Sequence, residues 1–196
     1  MTFFLSWILI PGLTFLLPGK TNWFTTNFSV AGSMFPQNLI LLSWGILTGI
    51  DFRTFFRHAA HHAAAFLSAK RELALVNLAV FLLIFSVFLP YRPEQEPVTA
   101  FLHLALAFSA TVLFFFAVTS LDLRLYFLVP DLFSFPTAMI LVAIAGTICL
   151  LILCDFIITS ALEIFLTLFS CQWLCLFDRQ VQKAAKRYGN GLPELP

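Results

Sequence analysis

Charged side chains are scarce in this sequence, and their scarcity excludes an ordinary soluble domain. Only 11% of the 196 residues are charged and 60% are hydrophobic, whereas soluble domains carry about 25% charged residues to cover a hydrated surface. Alternation of period two is also absent, and the apolar runs exceed the roughly 10 residues of a membrane β-strand. Helices are the remaining way to satisfy backbone polar groups in hydrocarbon. We therefore predict an all-α protein, a polytopic transmembrane helical bundle.

Other missing features exclude several function classes. The net charge is only +1 and no basic patch interleaved with aromatics occurs, so we expect no nucleic-acid partner. The first apolar run lacks the basic segment and the small-residue cleavage site of a secretory signal, and we interpret it as a span. The cysteines lie inside predicted spans without nearby His partners, which predicts packing residues, no metal site and no cofactor: Cys149, Cys154, Cys171 and Cys175.

The long apolar runs predict six spans in a single transmembrane domain, 1–196, which ends in a short cytoplasmic tail, 178–196. The stretch 134–177 is too long for one crossing, because 44 residues at 1.5 Å each make roughly 66 Å against a core of about 30 Å. We expect it to fold back at Asp155, the charge near its middle, and we expect the first span to bend at Pro11-Gly12. The predicted spans are 3–19, 39–55, 73–89, 99–120, 134–153 and 157–177.

The basic residues predict the orientation. Six spans place nine of the 11 Lys and Arg on one side and leave only Lys20 and Arg92 on the other. The richer side is cytoplasmic by the positive-inside rule, so both termini are predicted to be cytoplasmic. Since no sorting signal is evident, we predict a bacterial cytoplasmic membrane. The nine are Arg53, Arg57, Lys70, Arg71, Arg124, Arg179, Lys183, Lys186 and Arg187.

Ionisable residues inside predicted spans are the first candidates for a site, because a charge at a helix centre costs roughly 2.5–3.5 kcal/mol on insertion scales. His103 and Glu163 both fall in the predicted outer half of the membrane, at similar depths. They form either an acid–base pair or a structural contact between two helices. With Asn27 and Ser29 of the outer loop and Asp155 of the outer turn, they make up the predicted ligand-binding set. Ser29 lacks the context of a nucleophile elbow, so the sequence assigns no catalytic residue.

Three segments resemble the FRAG/DRAM/Sfk membrane-protein family. They are FSVAGSMFPQN (28–38), FLPYRPEQEPVTAFLHLALAFSATVLFF (88–115) and SALEIFLTLFSCQWLCLF (160–177). The first resembles the family's loop after the first span, the second its polar turn and following helix with His103, and the third its last helix with Glu163. Val30, Ala31 and Gln37 depart from the polar residues of the family's loop motif, so a role that needs those groups is lost here.

The resemblance implies a protein that acts on or organises lipids, since the family includes the damage-regulated autophagy modulators and proteins that remodel GPI-anchor lipids. It also implies a pocket on the outer face, where the three segments meet. Membrane lipids are therefore the expected partners. One alternative is a non-enzymatic accessory or scaffold subunit that binds other membrane proteins, and another is a small-solute transporter, which the absence of an inverted repeat disfavours. Whether the protein is an enzyme stays open, because no complete catalytic constellation is visible.

Overall fold

The structure is a computed structural model that describes residues 4–64 and 67–188. Within these ranges the chain is helical and has no strand, which confirms the all-α prediction. The last part of the predicted cytoplasmic tail, residues 189–196, lies outside the described residues. A π-helical segment, Leu5–Leu9, precedes the α-helices α1 (Ile10–Leu16), α2 (Phe28–Ala31), α3 (Gln37–Ala63), α4 (Lys70–Phe88), α5 (Pro97–Leu128), α6 (Pro130–Leu153) and α7 (Ser160–Tyr188).

Five of these helices, α3 to α7, are long and apolar enough to cross a membrane. Large apolar side chains on them face away from the bundle: on α5, Phe101, Phe108 and Phe116 are 69%, 60% and 53% exposed. In water each of these rings would cost roughly 25 cal/mol for every Å² of apolar surface left uncovered, whereas lipid chains cover them without cost. Long apolar helices with an apolar outer surface support a helical membrane protein with several spans.

Two of the long helices continue well beyond the apolar stretches that predict them. The predicted spans 39–55 and 99–120 correspond to α3 and α5, which end at Ala63 and Leu128. Hydropathy marks only the part of a helix that suits hydrocarbon, while backbone hydrogen bonding continues until a residue interrupts it. In α5 that interruption comes at Pro130, whose ring disfavours helical geometry in the preceding residue.

The first apolar helix is shorter than its predicted span, 3–19. The π-helical segment has 5 residues and α1 has 7, which together span about 18 Å at 1.5 Å per residue. The helix is widened just before Pro11, where the Ile10 amide donates to the Leu5 carbonyl. A proline ring collides with the carbonyl four residues earlier, and a widened turn relieves that collision. The irregularity that the sequence predicts at Pro11-Gly12 therefore lies about one turn earlier.

Helices α6 and α7 form the antiparallel pair that the long apolar stretch predicts. The reversal follows Cys154, which closes α6, and Asp155 and Phe156 have φ values of 52° and 61°. Left-handed backbone is uncommon outside glycine, and Asp tolerates it better than most residues because its short side chain bonds locally. The chain thus turns at the residue where the sequence predicts the turn.

Close packing in the bundle uses small residues on α3 and aromatic residues on α7. A Cβ atom added at Gly45 would lie 2.8 Å from Cγ1 of Val87 on α4, so only glycine allows this approach of the two helices. On α7, the Trp173 ring stacks on the Phe177 ring with centroids 4.5 Å apart. The indole Nε1 of Trp173 donates to the Pro136 carbonyl of α6 at 3.0 Å, which satisfies the polar atom of a buried ring.

The bundle has two ends of different chemistry. The loop end contains residues 18–36, the α4–α5 connection 89–96 and the α6–α7 turn. The basic end contains the last turns of α3, α5 and α7. At the basic end, the Arg124 guanidinium on α5 donates to Glu72 of α4 at 2.8 Å, and Nδ1 of His58 on α3 lies 2.8 Å from Oδ1 of Asp178 on α7. These pairs link neighbouring helices where charges can remain partly hydrated.

Candidate functional site

The site is built around α2, a single helical turn at the loop end. Asn27 is its N-cap: its backbone is extended, with φ −118° and ψ 171°, and its Oδ1 accepts the Val30 amide at 2.9 Å. Asparagine is among the preferred residues at this position because its short side chain reaches the free amides of the first turn. The Phe28 ring anchors the turn, buried against Leu17 and Ile164 and edge-on to Trp44. The predicted site residue Asn27 therefore shapes the loop.

Glu163, in the first turn of α7, also holds this turn in place. Its Oε2 accepts the Phe28 amide at 2.6 Å, and two backbone bonds lie beside it, from the Ser160 amide to the Thr26 carbonyl at 2.6 Å and from Ala161 to Trp23 at 2.9 Å. The first turn of α7 therefore binds the loop in two ways. Its own free amides donate to loop carbonyls, and its Glu163 side chain accepts a free amide of α2. Among the described contacts Glu163 makes no hydrogen bond to His103, so neither the acid–base pair nor the structural contact expected of these two residues gains support.

His103 instead pairs with Ser29, the central residue of the loop helix. Its Nε2 lies 2.7 Å from Ser29 Oγ, and its Nδ1 lies 2.9 Å from the Leu89 carbonyl oxygen. A carbonyl can only accept, so Nδ1 carries the proton and, in the neutral ring, Nε2 offers a lone pair. The Ser29 hydroxyl therefore donates to Nε2. The Tyr91 ring, with its centroid 5.7 Å from that of His103, packs beside the imidazole.

Ser29 and His103 are 7% and 3% exposed, and both line a cavity of about 230 Å³ at the loop end. Its apolar lining comes mostly from α3 and α4 and includes Leu42 and Val87. Its polar lining contains Ser33, Asn38 and Arg92 besides the serine and the histidine. The cavity thus offers both apolar and polar contacts.

The electrostatics of this cavity favour neutral or negatively charged groups. No carboxylate is among the residues that line it, and Arg92 is its one formal positive charge. Within the described chain the exposed Arg92 side chain has no hydrogen-bond or ion-pair partner. The Asn38 Oδ1 accepts the neighbouring Leu39 amide at 2.9 Å, which leaves its NH₂ group available.

Four of the five predicted site residues lie at the cavity or in the contacts that hold the turn beside it, in different roles. Ser29 and His103 line the cavity, while Asn27 and Glu163 hold the turn that carries Ser29. Asp155 is exposed in the α6–α7 turn and is not among the lining residues, so its inclusion in the ligand-binding set gains no support.

The site residues predicted from the sequence did not include Leu89, Asn38 or Arg92. A backbone carbonyl leaves no trace in residue type, and Asn38 looks like an ordinary residue before a span. Arg92 did carry a signal, because it is one of only two basic residues on the predicted outer side. Among the described residues, no group of three or more His, Cys, Asp or Glu side chains is placed to hold a metal ion.

Comparison with known proteins gives no relative. No protein-family model, no curated protein and no solved structure matches this chain.

The bond between Glu163 and Phe28 predicts different outcomes for two substitutions. Glu163→Gln keeps an oxygen that accepts the Phe28 amide, whereas Glu163→Ala leaves that amide buried without a partner, at a cost of about 1–3 kcal/mol. We expect Glu163→Ala to lower the unfolding temperature in detergent and to speed hydrogen exchange in residues 23–31, and Glu163→Gln to resemble the wild type in both. Equal behaviour of the two variants would show that the acceptor oxygen does not hold the loop.

Proposed function

We propose that this chain is an integral membrane protein of six spans that binds a lipid through the cavity at its loop end. The observation that carries the proposal is the composition of the cavity wall, which combines apolar side chains of α3 and α4 with polar and basic side chains. A lipid needs both kinds of contact, because its acyl chains suit apolar helices and its headgroup needs hydrogen-bond donors and acceptors. The cavity volume of about 230 Å³ fits the region where headgroup and chains join, not a whole lipid.

The charge in the cavity indicates the kind of headgroup. Arg92 lines the cavity without a carboxylate partner among the described residues, and the Asn38 amide has a free donor group. Guanidinium and amide donors suit phosphate and carboxylate oxygens. We therefore propose an anionic or ester-containing headgroup.

The family resemblance agrees with this location. Each of the three resembling segments contributes to the loop end: 28–38 carries Ser29, 88–115 carries Arg92 and His103, and 160–177 carries Glu163. We propose on this ground that the chain is related to the FRAG/DRAM/Sfk proteins and acts in a bacterial cytoplasmic membrane. The loop end then faces outward.

The sixth span in this proposal is the short first helix. Its Ser6 hydroxyl donates to Oδ2 of Asp51 at 2.5 Å, and both side chains are buried. Asp51 lies just before Arg53, where the apolar part of α3 ends and its basic part begins. At its other end the first helix leads into Gly19, next to Gln37 at the start of α3. Contacts near both ends of the short helix therefore lie along α3, from Asp51 to Gln37, which supports its inclusion among the spans.

Topology can be tested with reporter fusions in bacterial cells. We expect green fluorescent protein to be fluorescent at either terminus, since it folds in the cytoplasm, and alkaline phosphatase to be active when inserted after Gln95, since it folds only outside. A dark N-terminal fusion with a fluorescent C-terminal fusion would support five spans and contradict the sixth.

Lipid binding can be tested by native mass spectrometry of the protein purified in mild detergent. We expect the wild type to retain a defined anionic lipid and Arg92→Gln to reduce its occupancy about 3- to 10-fold, since an exposed charge-assisted contact contributes on the order of 1 kcal/mol. Lys20→Gln is the matched control, because it removes the same charge at the loop end from a residue that does not line the cavity.

Two results would contradict the proposal. Equal losses in Arg92→Gln and Lys20→Gln would indicate attraction by surface charge without a cavity site. Absence of a selective lipid together with a stoichiometric partner protein would favour the accessory-subunit alternative.

A further inference from the structure

We infer that Ser29 and His103 form an acyl-transfer site, in which the serine hydroxyl attacks the carboxylic ester of a bound lipid. The inference rests on the proposed lipid binding for its substrate, but the geometry that carries it is independent of any ligand. The Ser29 hydroxyl donates to Nε2 of His103 at 2.7 Å, and Nδ1 of the same ring is fixed 2.9 Å from the Leu89 carbonyl oxygen. A nucleophile bonded to a base, and a base oriented by a third group, is the arrangement that activates a hydroxyl.

The backbone amides on both sides of Ser29 are held by hydrogen bonds, which fixes the position of its hydroxyl. The amide before Ser29 is bound by Glu163 at 2.6 Å, and the amide after it is bound by Asn27 at 2.9 Å. Fixing the backbone on either side of a nucleophile reduces the entropy lost on reaching the reactive geometry. These contacts make Asn27 and Glu163 positioning residues.

The neighbouring Ser33 shows what an unactivated serine looks like in the same cavity. Its hydroxyl donates to the Val30 carbonyl at 2.7 Å, a local bond to its own turn. Such bonds within one helix or turn are the usual partners of buried serine and threonine side chains. Ser29 makes no such bond in the described structure and is directed to an imidazole lone pair.

The cavity also supplies what the reaction needs around the ester. Apolar residues of α3 and α4 line the same cavity as Ser29, so an acyl chain that lies against them brings its ester into the cavity with the serine. Asn38 and Arg92 line this cavity too, and their NH₂ and guanidinium groups are the donors available to the carbonyl oxygen when it becomes negative.

The reaction proceeds in two balanced halves. The Ser29 proton moves to Nε2 of His103 while Oγ bonds to the ester carbonyl carbon. When the tetrahedral adduct collapses, the bond from that carbon to the alcohol oxygen breaks and the alcohol takes the proton from Nε2. In the second half, water or a lipid hydroxyl gives a proton to Nε2 while its oxygen bonds to the acyl carbon. The bond from that carbon to Ser29 Oγ then breaks and Oγ takes the proton from Nε2, which releases a fatty acid or a new ester and restores both residues.

The neutral Leu89 carbonyl beside Nδ1 of His103 affects the expected rate of the reaction. A carboxylate in that place stabilises the protonated ring by its charge, whereas the Leu89 carbonyl offers only its dipole. We therefore expect slow turnover.

The test uses a fluorophosphonate probe, which phosphorylates activated serines, on the full chain in detergent. We expect labelling of the wild type at Ser29, none in Ser29→Ala, at least about a 100-fold lower rate in His103→Ala, and an unchanged rate in Ser109→Ala, an exposed serine of α5 that does not line the cavity. Thermal unfolding checks that each variant is folded. In Ser29→Cys, a variant of nearly equal volume, we expect an alkylating probe to react at position 29 faster than at the exposed Cys149.

Incubation with phosphatidylglycerol vesicles then identifies the acceptor. Free fatty acid that depends on Ser29 indicates hydrolysis, and acyl exchange between labelled lipids indicates transfer. Folded wild type that reacts with neither the probe nor the vesicles overturns the inference, as does equal labelling of Ser29→Ala. Lipid retention without labelling at Ser29 would reject the reaction and leave the binding proposal standing. Labelling at Ser29 without retained lipid would reject the binding proposal and leave the activated serine standing.

Discussion

The loop end depends on hydrogen bonds between loop amides and polar side chains or backbone groups of the long helices. Glu163 accepts the Phe28 amide at 2.6 Å, and the first amides of α7 donate to the Thr26 and Trp23 carbonyls. In a low-dielectric setting a buried amide without a partner is expensive, so these bonds leave the loop few alternative positions. The serine hydroxyl and the imidazole meet because two separate segments, the loop and α5, are both fixed to within hydrogen-bonding distance.

The two ends of the bundle use polar residues differently. At the basic end, the pairs of Arg124 with Glu72 and of His58 with Asp178 each join a partly exposed side chain to a buried carboxylate. At the loop end, the polar side chains of Ser29 and His103 are both buried and line a cavity. Buried polar groups beside a cavity are where binding and chemistry are expected.

Much of the fold could be predicted from the sequence, because hydrocarbon leaves few choices for a long apolar chain. The apolar stretch after residue 134 had to reverse, and Asp155 marked the place. The partners of His103 could not be predicted in the same way. Depth along two helices suggested Glu163, but helix rotation and the path of the loop place Ser29 and the Leu89 carbonyl against the ring instead. Periodicity and hydropathy carry no information on a backbone carbonyl in a turn.

We expect His103 to hold its proton on Nδ1 and to accept the Ser29 hydroxyl at Nε2, and nitrogen NMR of the imidazole tests this arrangement most directly. The protein has four histidines, so ¹⁵N-histidine labelling with His103→Gln for assignment gives a tractable spectrum. We predict a neutral ring with a protonated Nδ1 and an unprotonated Nε2, and a change in the Nε2 shift in Ser29→Ala but not in Ser33→Ala. A proton on Nε2, or an Nε2 shift that does not respond to Ser29→Ala, would contradict the account.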